Sequence, residues 1–170
     1  MSGESIVNKV AQSGLYTLEV DQFLPAVDII SFDLKPYLWE GLALKERDFR
    51  EALASIDWSD YAHKSVAVYC SADALIPHWA YMLVAVSLAQ VTDQIHFNTP
   101  GAAHEALIDK NLLAFNWDEL IDRRVVVKGC GKGNPGYSVY GKIAKHLALR
   151  AKSIMFGEPC STVPVYKRAL

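Results

Sequence analysis

Lys64-Ser-Val-Ala-Val-Tyr-Cys-Ser-Ala-Asp-Ala-Leu-Ile-Pro-His-Trp79 decides how the whole chain is read. Val66 to Tyr69 is a short, continuous apolar run, the pattern of a strand covered on both faces. Cys70 closes it. A polar turn follows, with Ser71 and Asp73 as candidate caps, and Pro77 suits the first turn of a helix running to Ala89. Two later stretches repeat the ending. The β-branched run in Arg123–Gly131 stops at Cys130, and the apolar run that opens Lys152–Cys160 is followed by Cys160. These are the chain's 3 cysteines, and each falls at the end of an expected strand.

Working outward, Gln94–Phe97 reads as a short strand and Ala102–Phe115 as a helix entered through Thr99-Pro-Gly101. Val125–Lys128 reads as a strand, and Tyr137–Arg150 as a helix with Tyr140, Ile143, Ala144 and Leu147 on one face. Ser153–Phe156 is the last strand of the series. Upstream, Lys45–Ile56 is an amphipathic helix, with Phe49, Leu53 and Ile56 at helical spacing. Tyr16–Val20 and Ile30–Leu34 alternate apolar and polar residues, joined by the turn-like Asp21–Ala26, so a β-hairpin or antiparallel addition at a sheet edge is expected there. Strands alternating with helices define an α/β fold with parallel pairing. The expectation is a three-layer α/β/α arrangement with one mainly parallel sheet, its strands near 66–70, 94–97, 125–129 and 153–157. It forms a single domain over 1–170, with a β-rich part (1–44) packed on 45–170. The commonest compact order places the second strand first, then the first, third and fourth, with a switch point between the first and third. No internal repeat, low-complexity segment or linker is legible. The tail from Ser161 to Arg168 reads as extended, running back along the sheet edge or reaching a neighbouring subunit. The apolar Tyr37, Leu38, Trp39 and Leu42 either pack under the next helix or make a homo-oligomer contact.

The 170 residues suffice for one domain that buries about 70% of its unfolded surface. A hydrophobic fraction of 51% with 21% charged residues is globular composition. A net charge of −2 argues against a general nucleic-acid binder, which usually carries a basic patch. The opening Met1–Val10 lacks the apolar core of a signal peptide, and Leu75–Ala89 is too short to span a bilayer, so a cytoplasmic protein without a membrane partner is expected. In that compartment thiols stay reduced, which leaves free core cysteine, metal ligand and reactive thiol as the open uses of the three.

All carboxyl ends of a parallel sheet lie on one edge. In the expected order Cys70, Cys130 and Cys160 end consecutive strands about 4.8 Å apart. Tetrahedral zinc, with Zn–S near 2.3 Å, needs sulfurs about 3.8 Å apart, which one strand spacing plus side-chain reach can meet. His78, one turn into the helix after Cys70, is a candidate fourth ligand. The three thiolates would thus suit a shared metal ion, such as zinc, or a cluster. The plain alternative is that each cysteine is a small buried apolar residue. His63, His96, His104 and His146 read as ordinary polar positions. A second motif overlaps Cys130: Gly131-Lys132-Gly133-Asn134-Pro135-Gly136 fits G-x-G-x-x-G between a strand and a helix, with Glu158 about 20 residues on. Gly131, Gly133, Gly136 and Lys132 are thus candidate nucleotide- or phosphate-binding residues, although Pro135 removes one amide from such a cradle. Lys128 and Lys132 would lower a nearby thiol pKa or hold a small anion.

Four stretches, IVNKVAQSGL (6–15), CSADALIPHWAYML (70–83), VVVKGCG (125–131) and SIMFGEPCSTVPVYKR (153–168), together resemble a bacterial domain-of-unknown-function family, number 2480. The resemblance covers essentially the whole chain and implies no established activity. It implies a link to the sulfur-mobilisation machinery of iron–sulfur cluster assembly, beside which members are often encoded, and hence iron–sulfur assembly proteins as partners. Three readings stay open. The first is a metal- or iron–sulfur-binding accessory protein using the three thiolates. The second is an α/β enzyme or nucleotide binder using the glycine loop, with Cys130 or Cys70 as nucleophile. The third is an interaction module without chemistry.

Overall fold

The computed structural model describes residues 14–129, 135–158 and 161–169. The valines of Ser-Val-Ala-Val-Tyr and Arg-Val-Val-Val-Lys form β3 (Ser65–Tyr69) and β5 (Arg124–Lys128), and their middle residues are buried on both faces. That burial is why these strands are continuous in apolarity and not alternating. The remaining strands are β1 (Leu15–Glu19), β2 (Ile29–Asp33), β4 (Ile95–His96), β6 (Ser153–Glu158) and β7 (Ser161–Lys167). Among the described residues the helices are α1 (Glu46–Ala54), α2 (His78–Leu88), α3 (Pro100–Ala114) and α4 (Tyr137–Ala148). α1 buries Phe49 and Leu53 and solvates its other side with two i,i+4 ion pairs, Glu46–Arg50 and Arg47–Glu51. The protein is α/β with mostly parallel strands, as the alternation of elements predicts.

The strands fall into two sheets. One has the order β2-β3-β4, all parallel; the other has the order β1-β5-β6-β7, parallel except for β7, which runs back antiparallel to β6. This corrects the expected single sheet. The two N-terminal strands do not form a hairpin with each other. β2 pairs in parallel with β3 (Phe32 opposite Val68), and β1 pairs in parallel with β5 (Leu18 opposite Val127). Each therefore occupies the strand edge at which β3 and β5 would have met, so β3 and β5 are not neighbours. Asp21–Ala26, read as a hairpin turn, instead begins as a short 3₁₀ helix, Val20–Phe23, that buries Val20 and Phe23. The tail does return along a sheet edge: it is β7, whose Pro164 lies on an edge strand.

The chain gathers into two compact units. The first holds the described residues of Met1–Leu24 and Ile108–Leu170; the second is Pro25–Leu107. Each has its own core. In the second, Phe32, Phe49, Leu53, Val66, Val68, Val84 and Leu88 meet; in the first, Leu18, Ile108, Leu112, Val125, Val127, Ile143 and Leu147 do.

Those two sets correspond residue by residue, and this overturns the reading that no repeat exists. From α1 onward the second unit matches the first at a constant shift of 59 residues: Phe49 with Ile108, Leu53 with Leu112, Val66 with Val125, Val84 with Ile143, Leu88 with Leu147. The 3₁₀ turns Trp58–Tyr61 and Trp117–Leu120 correspond. Trp58 and Trp117 each donate an indole N–H to a helix-end carbonyl, that of Leu53 (3.3 Å) and of Leu112 (2.7 Å). His63 and Asp122 hold the same left-handed backbone, φ 59° and 58°. Their amides donate to the carbonyls of Val91 and Arg150, each at 3.0 Å. Tyr81 meets Phe97 edge-on as Tyr140 meets Phe156. The order strand, helix, 3₁₀ turn, strand, helix, strand occurs twice, and in the first unit the second unit is inserted between the opening strand and the helix. The sequence hides this because most equivalent pairs share only apolarity.

Candidate functional site

At the carboxyl edge of the β2-β3-β4 sheet, Cys70 directly follows β3 and is half-buried. The loop that carries it onward is tied to β2. Asp33, the last residue of that strand, accepts hydrogen bonds from the Ser71 amide (2.9 Å), the Ser71 hydroxyl (2.5 Å) and the Lys35 amide (3.0 Å). Burial alone would raise the Asp33 pKa, but the Ser71 and Lys35 hydrogen bonds and the Lys35 charge outweigh it and hold the carboxyl below its ordinary value. Tyr81, on α2, reaches the same edge: burial pushes its hydroxyl pKa up, and the neighbouring Cys70 adds to the shift. His78 is the first residue of α2 and is exposed, with no hydrogen bond to its ring among the described residues. Nor do the described residues contain any group of three His, Cys, Asp or Glu side chains that would hold a metal ion.

The equivalent edge of the β1-β5-β6-β7 sheet is charged. Lys128, ending β5, lies between two carboxylates, with Nζ 3.4 Å from Glu19 Oε1 at the end of β1 and 3.9 Å from Glu158 Oε2 at the end of β6. Tyr140 donates its hydroxyl to the Gly129 carbonyl at 3.2 Å and stands edge-on to Phe156 at 5.5 Å. Below them a cavity of about 130 Å³ opens between α4 and the sheet, lined by Val127, Tyr140, Ala144, Ile154, Met155 and Phe156 with Val165 of β7. Of the glycine-loop candidates, Gly136 caps α4 with φ −58°, a backbone open to any residue, so its place there does not demand glycine. Gly131, Lys132 and Gly133 lie outside the described residues, as do Cys130 and Cys160.

The sheet order separates what the sequence reading had joined. Cys70 ends a strand of one sheet, whereas Cys130 and Cys160 follow β5 and β6 of the other, so the expected run of three consecutive strand ends does not exist. β5 and β6 are parallel neighbours (Val127 opposite Phe156). Sequence reasoning missed the Glu19–Lys128–Glu158 cluster, because Glu19 belongs to a strand assigned to a hairpin. It also missed a serine–histidine pair: Ser65 Oγ lies 2.9 Å from His96 Nε2. Ser65 is wholly buried, so that hydroxyl is sealed from substrate and the pair is a satisfied core contact.

These features define a class: a repeated α/β protein with charged and thiol-bearing strand ends at its carboxyl edges. A family model described as a protein of unknown function, DUF2480, matches residues 4–168, and the chain belongs to that family. No curated protein and no solved structure matches it. No helix among the described residues is long and apolar enough to cross a membrane.

Proposed function

We propose that the protein is an accessory protein that binds a soft metal ion or an iron–sulfur cluster through thiolates, with Cys130 and Cys160 as the principal ligands. One observation carries the reading: β5 and β6 are adjacent and parallel, and each cysteine follows the last residue of its strand, Lys128 or Glu158, after a single intervening residue. Parallel strands sit about 4.8 Å apart, a separation that short side chains can close to the sulfur–sulfur distance of a shared zinc or iron. Thiolates are soft donors suited to both. The chemistry of the donors fits the group, whereas around Cys70 the described residues offer no comparable set. Cys70 and His78 therefore enter the proposal as a separate thiol and a free imidazole, not as two corners of one site. In this reading the protein works in the cytoplasm with iron–sulfur assembly proteins as its partners.

The nucleotide or phosphate reading has less support. Lys128, the described cation nearest the glycine loop in sequence, is already flanked by two carboxylates, which repel an incoming anion.

Metal analysis and an absorption spectrum of the anaerobically purified chain test the proposal. Bound zinc or iron that is lost in Cys130→Ser and in Cys160→Ser but kept in Cys70→Ser is the expected result. A metal-free native protein that also takes up no zinc or iron on titration refutes it.

A further inference from the structure

The repeat supplies an internal control for helix surfaces. α2 and α4 occupy equivalent places, and their burial runs in step: Ala80, Val84 and Leu88 face one core as Val139, Ile143 and Leu147 face the other. The outward positions also match in exposure, but their chemistry is opposite. Where α4 presents Gly141 and Lys145 to solvent, α2 presents Met82 and Val86, and where α4 holds the half-buried Lys142, paired with Asp109, α2 has the half-buried Leu83. Met82 is 67% exposed and Val86 66%. All eleven residues of α2, His-Trp-Ala-Tyr-Met-Leu-Val-Ala-Val-Ser-Leu, lack a charged carboxylate, ammonium or guanidinium group. A helix apolar on every side belongs in an interior, and the sister helix shows that this fold does not require it to be.

We propose that the outer face of α2 is a two-fold interface with a second copy of this chain. Two features select a copy of itself over a different partner. First, a two-fold contact sets a surface against itself, so a charge on its axis meets its own like charge; α2 carries none. Second, the flank is self-complementary. A groove of about 420 Å³ runs beside α2 towards α1, with Leu53, Trp58, Leu83 and Val86 in its floor and Arg50 at its margin. The α1 rim alternates in sign through Glu46–Arg50 (2.9 Å) and Arg47–Glu51 (3.0 Å). A rim holding both signs can meet its own copy with opposite charges facing, which a rim of one sign cannot.

The test places charges on this face of the full-length chain. Met82→Lys with Val86→Lys changes the two α2 positions that are two-thirds open to solvent, and the second installs the residue that Lys145 supplies on α4. Sedimentation equilibrium over the micromolar range is expected to show a dimer for the native chain. The double variant should weaken it by about 100-fold or more, because two pairs of like charges then face each other across the axis. Circular dichroism checks that the variant is folded. Should it not be, Met82→Lys alone provides the same reading without touching the core. A native chain that is monomeric throughout, or a folded variant that dimerises as the native does, overturns the proposal. A monomer would assign the face to a different partner.

Discussion

The twin tryptophans allow a stability prediction in which each unit is the control for the other. Trp117 is 5% exposed, stacked between Phe23 (5.6 Å, 9°) and the His146 ring (4.6 Å, 7°). Its indole donates at 2.7 Å to the carbonyl of Leu112, in the last turn of α3, where carbonyls have no donor within the helix. Replacing it with Phe keeps an aromatic ring but removes the donor. The stranded buried carbonyl costs about 1–3 kcal/mol, and the lost ring volume costs about 1 kcal/mol more, giving roughly 2–4 kcal/mol. Trp58 is only half-buried and donates at 3.3 Å to Leu53, whose carbonyl also receives the Ile56 amide. Trp58→Phe therefore leaves that carbonyl with a partner and costs about 1 kcal/mol. Urea unfolding followed by far-ultraviolet circular dichroism, which is insensitive to the loss of a fluorophore, measures both. Amide hydrogen exchange assigns each loss to its own unit. If Trp58→Phe costs as much as Trp117→Phe, the indole–carbonyl bond is not what makes Trp117 matter, and the reasoning fails.

Three further outcomes are expected. Burial against Trp117, together with the nearby Arg150 and Lys145 charges, holds the His146 pKa below its ordinary value of 6.5, so the folded state resists its protonation. Its contribution is present above pH 6.5 and is lost as pH falls towards the depressed folded value; His146→Phe should flatten this part of a stability-against-pH curve, and an unchanged slope would count against it. His63, at φ 59°, occupies a backbone region that suits glycine, so His63→Gly should raise the unfolding free energy by up to about 1 kcal/mol, checked by thermal melting. Because its core closes within Pro25–Leu107, the second unit expressed alone should unfold cooperatively; a broad, non-cooperative urea transition would contradict the assignment.

The elements were legible in the sequence, and so was the candidate chemistry at their ends. Continuous valine runs marked β3 and β5 as doubly covered strands. The spacing of Phe49 and Leu53 marked α1, and Pro77 marked the start of α2, each within a residue or two of the observed bounds. The α4 face was legible too: Ile143 and Leu147 are buried and Tyr140 packs half-buried against the same core, which Val139 joins. The acidic cluster around Lys128 was not legible, because it draws Glu19 from a strand more than a hundred residues upstream.

What the sequence determined by itself is the alternation of strand and helix, hence parallel pairing and the placing of Cys70, Cys130 and Cys160 after strands. Local apolar spacing dictates these, since each element must bury its own face. Only the tertiary structure decided which strands are neighbours. Pairing is made by backbone amides and carbonyls that are the same in every residue, so a strand's side chains record how it is covered but not whom it lies beside. For this reason β1 and β2, adjacent in sequence, complete two different sheets. The repeat came to light the same way. Two cores can share every position and still share few residues, because packing asks for volume and apolarity before identity. Lys64–Trp79 thus keeps its strand, thiol and helix, but its twin is Arg123–Ser138, and the two belong to separate sheets.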